Sequence, residues 1–151
     1  MELGTAMPSL TAALANGDTL ALAELPMPAV VYFYPKNDTS GCTREAQDFS
    51  QLGDAFAAAR VSVVGISKDP PASHGKFAAK HALSVALASD EDGRICDAFG
   101  AWGEKSLYGR TYMAVERATF LFGRDGRLVR AWRRVRVAGH AEAVLAAAHA
   151  L

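Results

Sequence analysis

The chain has 151 residues, of which 50% are hydrophobic, so it can bury a core, and its length favours one domain over two. Sixteen basic residues balance sixteen acidic ones, which argues against nucleic acid or an anionic membrane as a partner, and no apolar run approaches the ~20 residues of a membrane helix. Two cysteines are too few for a disulfide scaffold and the N-terminus lacks the pattern of a secretion signal, so we expect a single domain over residues 1–151 in the cytoplasm.

The first predicted element is a small β-hairpin near the N-terminus. Residues 9–13 and 19–22 flank the turn-forming residues Asn16-Gly17-Asp18. Residues 28–34 follow as an apolar run of β-favouring residues, which is typical of a strand buried on both faces.

The segment after this strand predicts a turn and then a long helix. Residues 35–41 are rich in turn-forming types. Apolar residues then recur at steps of three and four, which predicts one helix from about Cys42 to Ala59. The buried stripe of this helix consists of Ala46, Phe49, Leu52 and Phe56.

The rest of the chain continues the alternation of strands and helices. The predicted elements are a strand over 60–67, a helix opened by 69–71 and ending near 81, a short strand over 83–88, a short helix over 90–99, a β-hairpin over 118–132 and a helix over 139–151. A β-α-β unit followed by a β-hairpin and a closing helix is the order of a thioredoxin-like α/β fold. The order alone leaves several α/β folds open.

The junction between the buried strand and the following helix is the predicted functional site, because ligands of open α/β sheets bind beyond the carboxyl ends of strands. A cysteine in the first turn of a helix, here Cys42, faces unpaired N–H groups and the positive end of the helix dipole. Both favour the reactive thiolate. Pro35 would end the strand and shield one side of the sulfur, and Thr39 can donate its hydroxyl to the sulfur or to a bound oxygen.

Residues 32–49, YFYPKNDTSGCTREAQDF, resemble the active-site segment of the peroxiredoxins, whose signature is Pro, three residues, Thr, two residues, Cys. The chain is most similar to the peroxiredoxin Q branch, also called bacterioferritin comigratory proteins, with further matches at 101–105, 108–109 and 116–120. The resemblance covers nearly the whole chain. It implies a thioredoxin-like fold of the peroxiredoxin type, here with a small N-terminal hairpin, and no cofactor. No metal site is expected, because the four histidines have no ligand spacing with either cysteine.

The resemblance also assigns roles to individual residues. It implies that Cys42 is the peroxidatic cysteine, that Pro35 and Thr39 line its pocket and that Arg117 is the active-site arginine. The implied reaction reduces hydrogen peroxide and alkyl hydroperoxides and leaves a sulfenic acid on the cysteine. Thiol acidity alone gives only a small gain in rate, because nucleophilicity falls as acidity rises, so donors aimed at the departing oxygen must supply the rest. Glu45 is predicted to be a partner of the helix dipole, with the orientation of an arginine as the alternative.

The sequence departs from the branch at the resolving cysteine, which many members carry five residues after the peroxidatic one. That position is Gln47, and the position used by other members, in the next helix, corresponds to Ala78. We therefore expect a one-cysteine mechanism with an external thiol reductant such as thioredoxin or glutaredoxin, and by resemblance a monomer or weak dimer. Cys96 is predicted to be a buried structural cysteine, with a resolving role as the alternative.

Two further function classes stay open from the residues alone. A thioredoxin-type disulfide oxidoreductase needs a C-x-x-C pair, but residue 45 is Glu. A non-catalytic binding module on a thioredoxin fold would need no reactive thiol. Trp102 and Tyr108 are predicted to lie in the core or at the rim of a pocket. The arginine-rich stretch over 124–136 predicts the charged face of an edge strand, which can also dock an acidic reductant.

Overall fold

In a computed structural model that describes residues 1–151, the chain forms nine strands and five α-helices. The strands are β1 (Thr11–Leu14), β2 (Thr19–Ala21), β3 (Ala29–Phe33), β4 (Ser62–Ser67), β5 (Ala86–Ser89), β6 (Trp102–Leu107), β7 (Arg110–Val115), β8 (Ala118–Phe122) and β9 (Leu128–Trp132). The helices are α1 (Ser40–Gln51), α2 (Gly53–Ala58), α3 (Pro71–His81), α4 (Arg94–Phe99) and α5 (His140–His149). None of these helices has the length and apolar character needed to cross a membrane.

Seven of the strands form one mixed sheet in the order β2-β1-β5-β4-β3-β8-β9. β3, β4 and β5 are parallel, and the other neighbours pair antiparallel. All residues of β3 and β8 are buried, as their continuous apolar sequences predict for strands covered on both faces. The predicted N-terminal hairpin and the hairpin around residues 124–126 are both present.

Side chains of β3 alternate between two hydrophobic cores on opposite faces of the sheet. Ala29, Val31 and Phe33 lie in the first core, whereas Val30 and Tyr32 lie in the second. The first core is covered by α4 and the base of the β6–β7 hairpin, and the second by α1, α2, α3 and α5. The sheet therefore separates anything on α4 from anything on α1.

Helix α1 packs on the sheet through an aromatic stack in the second core. The rings of Tyr32 and Phe49 are stacked with their centroids 4.5 Å apart. Tyr32 also packs closely against β4, since a Cβ at Gly65 would be only 2.5 Å from its Cζ atom. Only glycine fits at position 65, and this close approach lets the tyrosine fill the space beneath the helix.

The prediction of one helix from about Cys42 to Ala59 is wrong at both its start and its middle. Helix α1 begins at Ser40, and it ends before Leu52, whose ψ of 5° leaves the helical range. A second helix starts at Gly53. Glycine destabilises the interior of a helix. A break next to Gly53 therefore costs less free energy than a break beside a better helix former would.

The β6–β7 hairpin was not predicted. Its two-residue turn consists of Tyr108 at φ 51° and Gly109 at φ 75°, and Tyr108 is 95% exposed at the tip. The expectation that Tyr108 lies in the core or at a pocket rim is therefore wrong. Trp102 is partly buried against the first core, as expected, with the Lys68 ammonium 4.4 Å from its ring centroid.

The short helix predicted over 90–99 begins later, at Arg94, after Gly93, which has a φ of 78°. The buried Asp90 carboxylate accepts hydrogen bonds from the backbone N–H groups of Ile95 at 3.0 Å and Cys96 at 2.8 Å. These bonds satisfy two of the donors that an α-helix leaves free at its start. The preceding strand, β5, correspondingly runs to Ser89 rather than ending at 88.

Candidate active site

Cys42 is the third residue of α1, immediately beyond the carboxyl end of β3. The first intrahelical hydrogen bond runs from the Thr43 N–H to the Thr39 carbonyl, at 2.9 Å, so the N–H groups before Thr43 lie ahead of the helical ladder. No side chain caps this helix. The thiol is only 1% exposed and belongs to the second core. The sulfur is therefore held in an almost water-free position beside free backbone donors.

Arg117 reaches this sulfur from the neighbouring strand. It directly precedes β8, and β8 pairs antiparallel with β3 so that Ala118 lies opposite Phe33. This register places residue 117 beside the start of α1. Its Nη2 donates a hydrogen bond to Cys42 Sγ at 3.2 Å. The predicted meeting of Arg117 and Cys42, which are 75 residues apart in sequence, is present.

Glu45 fixes the other half of the same guanidinium. Arg117 Nη1 donates to Glu45 Oε1 at 2.7 Å, and Cys42 and Glu45 lie on one face of α1 because they are three residues apart. The contact fits the alternative role predicted for Glu45, which is to orient an arginine. Glu45 is 1% exposed, and its second oxygen, Oε2, is buried without a hydrogen-bond partner.

The ionisation of this pair reflects its burial. Burial raises the pKa of Glu45 to about 7, although the Arg117 guanidinium opposes the rise. Burial acts to lower the pKa of Arg117, but Glu45 and Cys42 outweigh it and the pKa lies above its ordinary value. The guanidinium is thus a permanent cation between a thiol and a carboxyl whose charge changes near neutral pH.

Gly41 leaves the space through which the guanidinium passes. A Cβ atom at this position would lie 3.2 Å from Arg117 Nη2, closer than most packed carbons tolerate. Any side chain here would require the guanidinium to shift by a few tenths of an ångström. The sequence predicts the backbone N–H groups near Gly41 and Cys42 as donors but does not explain why residue 41 is glycine, because the reason is a contact with a residue far along the chain.

Thr39 departs from one expectation. Its Oγ1 donates to the Lys36 carbonyl at 2.9 Å rather than to the sulfur. A hydroxyl has a single proton, and the turn before α1 takes it, so the oxygen is left as an acceptor. Pro35 is half-buried at the end of the strand region, after Tyr34, whose N–H still pairs with the Ile66 carbonyl.

A buried polar network holds the loop between these residues, and sequence analysis missed it. Asn37 is 8% exposed, and its backbone N–H donates to Asp69 Oδ2 at 3.0 Å. Its side chain accepts from the Tyr34 hydroxyl at 2.6 Å and donates to Ser73 Oγ at 3.0 Å and toward His74 Nδ1 at 3.0 Å. The loop is thereby fastened to α3 and its approach, which fixes where α1 begins.

Next to this network, Asp38 joins the same loop to the end of α3. It adopts a positive φ of 62° and accepts from Lys80 at 2.6 Å and His81 at 2.8 Å. Lys80 and His81 lower the pKa of this exposed carboxyl. Nothing in the local sequence indicates either partner, because both lie more than forty residues away.

Cys96 lies on the other face of the sheet. It is 0% exposed and belongs to the first core, whereas Cys42 belongs to the second. Burial raises the pKa of the Cys96 thiol, and the neighbouring Asp90 raises it further. Cys96 is buried as predicted. The sheet separates the two sulfurs, and a disulfide would require Cα atoms within ~7 Å of each other.

Residues 3–131 match the AhpC/TSA family. The chain belongs to this family. Peroxiredoxin Bcp from Xanthomonas campestris pv. campestris is 48% identical over 123 residues, which cover 80% of this chain and 77% of the relative. Peroxiredoxin Bcp from Bacillus subtilis is 39% identical over 141 residues, which cover 93% and 90%.

Solved structures give the same result for the fold. Xanthomonas campestris peroxiredoxin Q superposes with a TM-score of 0.91 at 43% identity, covering 99% of this chain and 96% of the other. A cysteine-to-serine mutant of Xylella fastidiosa PrxQ superposes with a TM-score of 0.92 at 36% identity, covering 100% and 98%. The chain has the thioredoxin-like peroxiredoxin fold and is a peroxiredoxin of the Bcp, or peroxiredoxin Q, branch. Peroxiredoxins are thiol-dependent peroxidases, so its substrate is a peroxide and its reductant a thiol.

Proposed function

We propose that this peroxiredoxin reduces hydrogen peroxide and alkyl hydroperoxides at Cys42 by a one-cysteine mechanism, with a single catalytic domain spanning residues 1–151. The observation that carries the proposal is the shared guanidinium of Arg117, which contacts Cys42 Sγ at 3.2 Å and Glu45 Oε1 at 2.7 Å. Because both contacts fix the guanidinium, it is already in position to stabilise the negative charge that develops during the reaction. Such preorganisation is what raises the reactivity of a thiol beyond its acidity.

In the proposed step the thiolate sulfur attacks the terminal oxygen of the hydroperoxide. The S–O bond forms as the O–O bond breaks, and the electron pair leaves on the second oxygen, which takes a proton to give water or an alcohol. Cys42 becomes a sulfenic acid. Arg117 Nη2 and the free N–H groups at Gly41 and Cys42 stabilise the departing oxygen, and one such donor contributes about 3–4 kcal/mol in other enzymes.

Thr39 and Pro35 are proposed to shape the pocket of the substrate. Because the Thr39 proton is given to the Lys36 carbonyl, its oxygen can accept the O–H of a bound hydroperoxide and orient it. The role of Thr39 is then that of an acceptor, whereas the sequence had suggested a donor. Pro35 presents no N–H and keeps one side of the pocket apolar.

Reduction of the sulfenic acid is proposed to require a thiol from another molecule. Cys96 lies in the first core, and the two positions at which the branch carries a resolving cysteine are Gln47 and Ala78. The incoming thiol attacks the sulfenic sulfur and releases water, and a second thiol then breaks the mixed disulfide and restores Cys42. Thioredoxin or glutaredoxin in the cytoplasm would supply these thiols, and the enzyme would act as a monomer or weak dimer.

The substrate class is supported by a relative. The alkyl peroxide reduction activity of the Xanthomonas campestris bacterioferritin comigratory protein is described from trapped intermediate and ligand complexes, and that protein superposes on this chain with a TM-score of 0.91 at 42% identity. Similarity of this degree over 99% of the chain supports the same chemical class here.

The test is intact mass after treatment with a slight excess of hydrogen peroxide, followed by peptide mapping. We expect one added oxygen on Cys42 in wild type and in Cys96→Ser, and none in Cys42→Ser. An unreactive wild type, or equal oxidation of Cys42→Ser, would contradict the peroxidase mechanism. A Cys42–Cys96 disulfide in the non-reducing map would contradict the one-cysteine mechanism and leave the peroxidase step intact.

A further inference from the structure

The backbone of Arg117 is held from outside the main sheet as well as from within it. On its C-terminal side Ala118 pairs with Phe33 in the sheet. The Arg117 carbonyl accepts from the Val135 N–H at 2.9 Å, so the segment that follows β9 lies against it. On its N-terminal side the Glu116 N–H donates to the Ala101 carbonyl at 2.8 Å. The direction in which the arginine leaves the backbone depends on these contacts.

The side chain of Glu116 organises the segment that follows β9. Its carboxylate accepts from Arg133 Nε at 2.6 Å and Arg133 Nη2 at 3.1 Å, and from the Arg134 N–H at 3.2 Å. Arg133 Nη2 also donates to the Gly100 carbonyl at 2.6 Å. A single carboxylate therefore gathers the side chain of one residue and the backbone of the next around the position directly before Arg117.

The backbone at Arg134 is strained, which shows that this arrangement is imposed. Arg134 has a φ of 46°, in the left-handed region that side chains with a Cβ rarely adopt. Residues persist there when surrounding contacts fix them. The hydrogen bond from the Arg134 N–H to Glu116 is such a contact, and the next N–H, that of Val135, meets the Arg117 carbonyl.

We propose that Glu116 and Arg133 are a positioning pair that sets the placement of Arg117 for the reaction with peroxide. The inference rests on the proposed function, because it assigns the pair a role in that step. Side chains of Arg133 and Glu116 are 44% and 20% exposed, so their ion pair contributes little to stability. Its effect lies in geometry, since a small displacement of a catalytic donor lowers a rate disproportionately.

The test compares Glu116→Gln with wild type and with Asp92→Asn. Asp92→Asn is the matched control, because it removes one carboxylate charge from an exposed pair with Arg94 that has no contact with Arg117. We expect the second-order rate of Cys42 oxidation by hydrogen peroxide to fall about fivefold to tenfold in Glu116→Gln and to stay unchanged in Asp92→Asn. The rate of alkylation by iodoacetamide, which has no departing peroxide oxygen, should change less than about twofold.

A double-mutant cycle with Arg117→Ala shows whether Glu116 acts through the arginine. If it does, Glu116→Gln lowers the peroxide rate in wild type and has no further effect in the Arg117→Ala background. Equal effects in the two backgrounds, or equal losses for peroxide and iodoacetamide, would overturn the positioning role. Should Glu116→Gln fail to fold, Arg133→Gln removes the same ion pair from the opposite side.

The cycle also separates this inference from the function on which it rests. A wild-type protein that does not react with peroxide, or an Arg117→Ala variant that reacts at the wild-type rate, would contradict the proposed function. A slow Arg117→Ala together with a fully active Glu116→Gln would contradict only the positioning pair.

Discussion

The two cysteines occupy the same place in two different helices and meet opposite electrostatic surroundings. Cys42 is the third residue of α1 and Cys96 the third residue of α4, and both are at most 1% exposed. Burial raises the pKa of the Cys96 thiol, and Asp90, whose carboxylate accepts hydrogen bonds from the first N–H groups of α4, raises it further. No carboxylate accepts from the first N–H groups of α1, and its cysteine receives a hydrogen bond from Arg117 instead.

The comparison teaches that a helix start does not by itself make a cysteine reactive. Both helices start with the positive end of a dipole and with N–H groups that have no partner within the helix. At α4 an anion takes those donors and repels a thiolate, whereas at α1 they remain free and a cation faces the sulfur. The proposed difference in reactivity therefore comes from the residues that face each helix start, Arg117 at α1 and Asp90 at α4.

The largest effect is expected from removal of the cation. Arg117→Met should lower the second-order rate of Cys42 oxidation by hydrogen peroxide about 10²–10³-fold, because it deletes a donor to the departing oxygen. Stopped-flow kinetics under single-turnover conditions measure this rate. Arg117→Lys is the control that retains the charge, and it should recover only part of the rate, since an ammonium cannot reproduce the planar fork that bridges Cys42 and Glu45. An Arg117→Met variant as fast as wild type would remove the basis of the comparison.

A smaller loss of rate is expected from Gly41→Ala, which crowds the guanidinium without deleting it. The new Cβ would lie 3.2 Å from Arg117 Nη2, so the guanidinium would have to shift from the position in which it contacts the sulfur. We expect the second-order rate of Cys42 oxidation by hydrogen peroxide to fall about threefold to tenfold. Alanine is the better helix former by about 0.5–1 kcal/mol, so the free energy of unfolding should be unchanged or higher. A slower variant that is also much less stable would instead indicate general distortion of α1.

The buried carboxyl beside the cation predicts a dependence of stability on pH. The pKa of Glu45 is raised by burial from 4.5 to about 7, so between these values the folded state holds a proton that the unfolded state has lost. Wild type should therefore lose about 1–3 kcal/mol of unfolding free energy relative to Glu45→Gln as pH rises through this range. Urea unfolding of both proteins at about pH 5 and about pH 8 measures the difference.

Comparison with Glu45→Gln is needed because the protonation of another buried group, His140, changes the stability with pH in the opposite direction. Burial lowers the pKa of His140 to about 4, and its stabilising contribution is present above its unfolded value and lost as pH falls. Both proteins retain His140, so only the difference between them reports Glu45. Parallel curves, or a wild type that gains on Glu45→Gln with rising pH, would show that Glu45 stays ionised throughout.

The smallest effect on catalysis is expected at the other cysteine. Cys96→Ser should leave peroxide oxidation of Cys42 and turnover with an external thiol unchanged, because the first core lies across the sheet from the site. Its free energy of unfolding should fall by about 1–2 kcal/mol, since a hydroxyl is costlier to bury than a thiol. In wild type, iodoacetamide should label Cys42 while Cys96 stays unlabelled until the protein is unfolded in urea.

Much of this site was accessible from the sequence because its signals are local. The strand and the first helical turn place Pro35, Thr39 and Cys42 within eight consecutive positions. Arg117 followed only from the resemblance, since nothing near residue 117 indicates a sulfur 75 positions away. The same resemblance carried the fold, because the order of strands and helices alone left several α/β folds open.

The features that were missed depend on contacts between distant parts of the chain. Glu45 looked like a dipole partner because its position in the first turns of α1 is visible, whereas its bond to Arg117 is not. The glycine at 41 and the hydrogen bonds of Asn37 are explained by residues brought in by other elements. The β6–β7 hairpin went unrecognised because most of its side chains are exposed and it leaves little hydrophobic pattern.

The placement of the two thiols on opposite faces of the sheet also bears on inactivation of the protein by overoxidation. A chain with a nearby second thiol can trap its oxidised sulfur as a disulfide within a single molecule. Here the only other thiol is on the far side of the sheet, so under the proposed one-cysteine mechanism a newly formed sulfenic acid must wait for a thiol from solution. A second peroxide that arrives first converts it to sulfinic acid, which ordinary thiols do not reverse. Under that mechanism, the number of turnovers before inactivation would be set by the local ratio of thiol to peroxide.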